Sequence, residues 1–442
     1  MKFKIVTGFF VSVILAWQCT PSDTIDADKD TSALISEQII QKSCATVGCH
    51  ASVNDANYNQ HGLVFEDLSK LINLSPKNIT AKDAGLKLIV PFDAENSLLY
   101  QKLLFESTHK SELNFGSIMP LGGDLLKKGE IEFIKRWINA GAPAKGNVAD
   151  VALLKDQTPS LAKFDPLAAP ASGSGYQMKL EPFEIYGNFE REVFNHKLLG
   201  NDKPIFVNKF QIKMHPGSHH FILYGFRNNF SKPPLNSLRD LRFQNGAFDL
   251  STFSQLGNHI FYFGGSESNY TFDFPEGTGI ELPANMSFDM NSHYFNKGSK
   301  SYFGEVYINL YTVPEEKVIK KLKVLDLGNT SLNIPAKSRV TINKSFSFAK
   351  NTKVVTLFSH THKLGEKFEI LIKGGSRDGE VVYTSTNWEH PKKIDFATPL
   401  SLKAGEGLIS RITYNNFTDK PVNFGLTSAD EMGIIFGYYY EE

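Results

Sequence analysis

The sequence predicts a multidomain protein: a small all-α domain followed by two antiparallel, jelly-roll-like β-sandwich domains. Three observations carry this. A chain of 442 residues is too long for one ordinary core. Helical apolar spacing is concentrated in residues 34–147. Beyond a proline- and small-residue-rich stretch, short β-rich runs alternate with Gly, Asn and Pro turn clusters, the rhythm of antiparallel sandwiches. The organisation expected is a leader and tether over 1–33, a helical domain over 34–147, a linker over 148–177, and sandwiches over 178–314 and 315–442.

The leader opens with Lys2 and Lys4 before an apolar run, 5–17, of signal-segment length but too short to span a bilayer. Cys19 and a polar, acidic stretch follow. The layout resembles a bacterial lipoprotein signal, which implies lipidation at Cys19, export, and anchoring to the membrane of a bacterial envelope, in the periplasm or at the cell surface. Trp17 and Gln18 depart from the small residues such signals prefer, and a simple secretory leader is the alternative. Charge is balanced, with 47 basic and 47 acidic residues, so a nucleic-acid partner is not expected. The three cysteines are Cys19, Cys44 and Cys49, so everything downstream must hold together by packing alone.

In the helical domain, Ile35 and Ile39 form an apolar pair on a short helix over 34–42, and 96–104 reads as a second. A third, over 129–140, places Ile131, Ile134 and Ile138 on one face beside Phe133 and Trp137. The first helix leads into Cys44-Ala-Thr-Val-Gly-Cys49-His50. Two thiols bond a porphyrin edge, and a histidine directly after the second binds iron; here four residues separate the thiols where two are usual. Met119, before Pro120, is the candidate sixth ligand, and His61 is the alternative. The stretch resembles small class I cytochromes c, which implies one covalently bound haem c. A Cys44–Cys49 disulfide with His50 on the surface is the competing reading.

The linker contains Pro159, Pro166 and Pro170. Strands are expected over 204–212, 220–224 and 367–373, and the two sandwiches divide near 312–317. Within these strands lie the second group of chemically suggestive residues. Side chains alternate along a strand, so His360 and His362 should share a face. Adjacent His219 and His220 should face opposite sides unless the strand distorts, and His293 is a weaker signal. Imidazole suits copper or zinc, while the thioether of Met432 selects soft Cu(I). His215 could support the His219 pair but reads as a turn residue; His196, His259 and His390 read as surface or structural.

Four segments carry a further resemblance: Ser218-His-His-Phe-Ile-Leu-Tyr-Gly225, Met290-Asn-Ser-His-Tyr294, Ser359-His-Thr-His-Lys-Leu-Gly365 and Thr427-Ser-Ala-Asp-Glu-Met432. In that order, over about 178–442, they resemble the copper type II, ascorbate-dependent monooxygenases. The resemblance implies two copper ions: an electron-transfer copper on His219, His220 and His293, and a catalytic copper on His360, His362 and Met432. It also implies O2 and a small-molecule substrate as partners, an external electron donor, and hydroxylation of a C–H bond. Peptide-amidating members carry an arginine where this chain has Phe358, and polar partners where it has Ile434 and Phe436. A peptide carboxylate is therefore a poor fit, and an apolar or aromatic substrate a better one. Asn291 stands where those enzymes have glutamine. The expectation is a copper monooxygenase supplied with electrons by its own haem; the alternatives are a non-catalytic electron-transfer or copper-handling surface protein, and an adhesion scaffold.

Overall fold

A computed structural model of the protein describes residues 28–442, apart from 47–48, 56–57, 105–112, 114, 117, 161–163, 299, 389–390 and 426–429. Residues 1–27 of the leader and tether expected over 1–33, with Cys19, and His390 lie outside the described residues. No helix among the described residues is long and apolar enough to cross a membrane.

The N-terminal part is helical, but the all-α cytochrome c-like domain expected there is not evident. Among the described residues its helices, apart from the third, are short pieces, with Gly62, Pro76 and Gly85 interrupting the apolar periodicity between them. The helix expected over 34–42 runs as Thr31–Leu34, a π-helical Ile35–Ile40 and Gln41–Ser43, burying Leu34, Ile35, Ile39 and Ile40. The one expected over 96–104 shrinks to a single turn, Leu98–Gln101. The third forms as Lys128–Asn139, with Phe133, Ile134, Trp137 and Ile138 buried. Its first turn is held by the Glu130 carboxylate, which accepts the Lys127 N–H at 2.7 Å. The Trp137 indole N–H donates to the Pro143 carbonyl at 3.0 Å beyond its end. These side chains form one apolar cluster with Phe65, Leu88, Leu103 and Phe115.

The rest of the chain is β-rich, as two sandwiches require. The strands are β1 (Gly175–Ile185), β2 (Phe189–Leu198), β3 (Ile205–Met214), β4 (Ser218–Phe226), β5 (Leu238–Asp240), β6 (His259–Gly265), β7 (Asn269–Asp273), β8 (Thr278–Leu282), β9 (Ser287–Asn296) and β10 (Tyr302–Val313). After a short turn come β11 (Lys320–Gly328), β12 (Asn333–Ile334), β13 (Ser338–Ser347), β14 (Thr352–His360), β15 (Gly365–Lys373), β16 (Val381–Ser385), β17 (Ile394–Leu402), β18 (Gly407–Asn416), β19 (Val422–Asn423) and β20 (Ile434–Glu441).

A nine-stranded sheet runs β1-β10-β3-β8-β11-β20-β14-β17, with β7 also paired to β3. It is faced by a five-stranded sheet, β5-β2-β9-β4-β6, and by a four-stranded sheet, β13-β18-β15-β16. Val207, Phe210 and Ile212 pack with Phe221, Leu223, Phe288 and Met290 in the first core. Leu357 and Ile435 pack with Ile370, Ile412 and Tyr414 in the second.

The two sandwiches share their large sheet. Thr278–Ile280 of β8 and Lys320–Leu322 of β11 pair in parallel, in a ladder otherwise built of antiparallel pairs. Val355, Phe436 and Tyr438, from strands of the second sandwich, belong to the apolar cluster of the first. The Tyr438 hydroxyl donates to the Tyr262 carbonyl at 2.9 Å across the same boundary.

Candidate metal centres

His219, His220 and His293 come together, each offering one ring nitrogen, with these atoms all within 4.8 Å of one another. The backbone explains how adjacent histidines share a side. In the β4–β9 pairing Ser218 lies opposite Tyr294 and His220 opposite His293, a register shift that leaves His219 as an extra residue in the ladder. Such a bulge breaks strict alternation and re-aims a side chain. The Nδ1 atoms of His219 and His220 are 3.2 Å apart. That matches two ligands sharing an ion at the roughly 2.0–2.1 Å typical of metal–imidazole bonds.

Hydrogen bonds set which nitrogen is free. His220 Nε2–H donates to Asn291 Oδ1 at 3.0 Å, and His293 Nε2–H to Glu190 Oε1 at 2.9 Å. Each Nδ1 lone pair is thereby left for a cation. Asn291 is oriented by its own Nδ2–H donation to Glu192 at 3.0 Å, and Glu190 by Arg242 at 3.1 Å. Burial, then the neighbouring His293 and His219, hold His220 well below the usual imidazole pKa, so it stays neutral as a ligand must.

Across the same cleft lie His360, His362 and Met432. The expectation that His360 and His362 share a strand face is only half met: β14 ends at His360, and His362 lies in the tight connection to β15. Their rings still stand 5.2 Å apart. His362 Nδ1–H donates to the Asp430 carbonyl at 2.9 Å, leaving Nε2 free. Burial, followed by the charge of the other ring, depresses His360 well below its usual value; burial likewise lowers His362.

Glu431 joins these pieces, and the sequence did not single it out. Its fully buried carboxylate accepts the backbone N–H of Leu364 at 2.7 Å, His362 at 3.0 Å and Met432 at 3.2 Å. Burial pushes its pKa up to about 7, against the pull of those three N–H groups. Tyr414 donates to the Met432 carbonyl at 2.7 Å from the facing sheet. The one available signal was position: Glu431 immediately precedes the only methionine of the final motif.

One cleft of about 1950 Å³ is lined by both histidine groups. Trp388 of the second sandwich stands 6.2 Å, ring to ring, from His219 of the first. Beside His360 the wall is aromatic. Phe261, Phe358 and Phe436 form a closed triangle with centroids 4.8–5.6 Å apart, and Phe436 is 6.3 Å from the His360 ring.

The cleft continues to Cys44, Cys49, His50, His61 and Met119 of the N-terminal domain. Both cysteines are free thiols, so the disulfide alternative is not what the structure contains. Burial, then Cys49 and Glu130, push the Cys44 thiol up to about 12. His50 and His61 are 4.2 Å apart, ring to ring. His50 Nδ1–H donates to the Leu63 carbonyl at 3.3 Å, which leaves Nε2 with its lone pair. His61 Nδ1 accepts the Leu63 N–H at 3.0 Å, which puts the proton of the neutral ring on Nε2. Of the two, His50 is the one whose Nε2 lone pair is available to a metal.

The remaining described histidines are structural. His215 accepts the Gly217 N–H at 3.2 Å and stacks on Tyr302, 5.0 Å away, with burial pushing its pKa down to about 4. His196 Nδ1–H donates to the Pro233 carbonyl at 2.6 Å. His259 is buried against Asp289 at 2.9 Å.

Two groups of soft and borderline donor side chains line one cleft on a pair of sandwiches, a donor set of the kind that suits a redox metal. Residues 324–442 match the family model described as copper type II ascorbate-dependent monooxygenase, C-terminal domain. The match takes in the C-terminal sandwich, and the family it describes consists of copper-dependent oxidoreductases. No curated protein matches the chain. Among solved structures, the STIV MCP is similar at 9% identity, covering 61% of this chain and 97% of that one with a TM-score of 0.29. PNGase F, a glycosylasparaginase from Flavobacterium meningosepticum, is similar at 8% identity, covering 60% and 96% with a TM-score of 0.24. Similarity this low carries no inference about fold or function.

Proposed function

We propose that the protein is a copper monooxygenase that hydroxylates a C–H bond of a small organic substrate with O2, with electrons relayed from a haem c bound in its N-terminal domain. The observation that carries this reading is the pair of ligand groups facing one cleft, inside a chain whose C-terminal domain matches the family. His219, His220 and His293 would hold one copper through ring nitrogens, and His360, His362 and Met432 the second. Bound copper supplies one-electron chemistry and a place for O2.

The chain's own residues do the rest. Asn291 and Glu190 hold the donor tautomers of His220 and His293, the Asp430 carbonyl holds that of His362, and Glu431 fixes the backbone that presents His362 and Met432. The Phe261–Phe358–Phe436 wall excludes water beside His360 and favours an apolar or aromatic substrate over a carboxylate.

The N-terminal residues fit a haem c: two free thiols, a histidine with Nε2 available and the Met119 thioether line one cavity with apolar walls that include Leu88, Leu98, Leu103 and Phe115. Cys44 and Cys49 would bond it, and His50 and Met119 would hold its iron; the His61 tautomer favours Met119 over His61. Export as a lipoprotein through Cys19 belongs to the same reading, since haem c is attached outside the cytoplasm.

The test is metal and haem content, read with O2 consumption, on protein matured in a host that attaches haem c. Two coppers, one covalent haem and copper-dependent O2 uptake are expected, and Met432→Ala should abolish uptake at least tenfold while copper stays on the first site. Copper loading with uptake unaffected by Met432→Ala would favour the non-catalytic electron-transfer or copper-handling alternative.

A further inference from the structure

We propose that the end of β9, Phe295 to Lys297, is the route by which electrons pass from the N-terminal cavity to the three-histidine cluster. The inference rests on the reading of the two sites just given.

One short stretch touches both sites. The Phe295 ring packs on His293 at 4.6 Å and on His219 at 5.5 Å, ring to ring. The Lys297 N–H donates to the Gly122 carbonyl, and Lys297 Nζ lies 3.2 Å from Cys49 Sγ. Gly122 belongs to the loop that begins at Met119 and Pro120. It has φ +68°, and a Cβ there would run into the Phe295 carbonyl. Two positions further along the same loop, Asp124 Oδ1 would lie 2.8 Å from a Cβ placed on Gly298. The loop that carries Met119 is thus seated directly on the strand that carries His293, and glycine at 122 is what allows so close an approach.

Tunnelling falls off exponentially with distance, and faster through a water gap than through packed atoms. A continuous path of bonded and touching atoms from Cys49 and the Met119 loop, through Phe295, to two cluster imidazoles therefore outcompetes solvent. Each transfer takes one electron from ferrous haem, leaving it ferric, and reduces one Cu2+ at the cluster to Cu+. An external one-electron reductant such as ascorbate restores the haem. Tethering makes the transfer intramolecular, with a high effective concentration of donor.

The test uses full-length protein loaded with haem and copper. A substoichiometric burst of reducing radicals, generated by pulse radiolysis without O2, first reduces the haem; its reoxidation is followed optically, and the loss of the Cu2+ signal by electron spin resonance. Wild type should show a first-order decay that does not depend on protein concentration. Phe295→Ala and Gly122→Val should each slow it at least tenfold with haem content, copper content and the resting Cu2+ spectrum unchanged. The two variants break the contact from opposite sides, so slowing in both supports the route. Slowing in Phe295→Ala alone would reduce the effect to packing around the histidines and overturn it, as would unchanged rates in both or a decay that speeds up with protein concentration. A second measurement needs no kinetics: in haem-loaded protein, where both native thiols are consumed, Asp124→Cys with Gly298→Cys should close a disulfide on mild oxidation, and failure to close would overturn the docking. Protein that binds copper but no haem would instead overturn the relay itself and leave the route without a donor.

Discussion

The Glu431 carboxylate offers two oxygens to three backbone N–H groups, in full burial. Those donors favour the charged form and burial opposes it; burial wins, since the pKa rises from 4.5 to about 7. A carboxyl whose folded pKa is raised holds its proton more tightly in the native state. It therefore contributes stability below the unfolded pKa that is lost as pH rises through the folded one. For Glu431 the window is pH 4.5 to 7, and the loss is on the order of 3 kcal/mol. Glu431→Gln removes this titration and turns an NH2 toward a backbone N–H, leaving a donor unsatisfied at a cost of about 1–3 kcal/mol. Denaturant titrations of metal-free protein should show stability falling across that window in wild type and a flatter profile in the variant. Parallel profiles would mean that Glu431 does not titrate there. In the same variant, copper affinity should drop at the His360–His362–Met432 site and hold at the other.

At the level of strands, two irregularities build the sites, and neither could be read from the sequence. Alternation argued that adjacent His219 and His220 diverge and that His360 and His362 converge on one strand. In fact a bulge brings the first pair together, and the second pair straddles the end of β14. A bulge depends on how a partner strand pairs, and strand ends depend on tertiary contacts such as Glu431 to the His362 N–H, so local spacing holds neither. The candidate ligands were legible as residue types, because four segments carry histidines and a methionine, and the structure brings them to one cleft. The N-terminal helix 129–140 was legible too, from an unbroken apolar face, whereas 96–104 kept only one turn for lack of one. Phe358 shows what a strand does with such a side chain: it pairs directly with Phe436 of β20 and lies two residues before His360. Phe358→Arg would set a cation against the remaining rings, where it can stack and receive an anion. Calorimetric binding to oxidised, copper-loaded protein should then weaken about tenfold for ethylbenzene, or roughly 1.4 kcal/mol, and strengthen for 3-phenylpropanoate. Wild-type protein that binds both equally would remove the aromatic wall from substrate choice.

Across the whole molecule, the shared sheet decides how the parts come apart. The parallel β8–β11 pair, the Tyr438–Tyr262 bond and an apolar cluster that takes in Val355 and Phe436 tie the two sandwiches together beside the cleft. Separating them would expose buried apolar surface worth about 25 cal/mol per Å², so the two should unfold as one cooperative unit. The N-terminal domain has its own apolar cluster and joins the rest through a linker with little regular structure, and its opening should be a separate event. Calorimetry should therefore resolve two transitions where three cores exist. Copper binds only residues of the sandwiches in the proposed arrangement, and a ligand at 100 times its dissociation constant adds about 2.7 kcal/mol to the state that binds it. Chelating copper should thus lower the midpoint of the sandwich transition and leave the N-terminal one in place. Three transitions would show that the shared sheet does not couple the sandwiches. A copper-dependent shift of the N-terminal transition would mean that the Gly122–Phe295 contact couples the two units more tightly than the separate cores suggest.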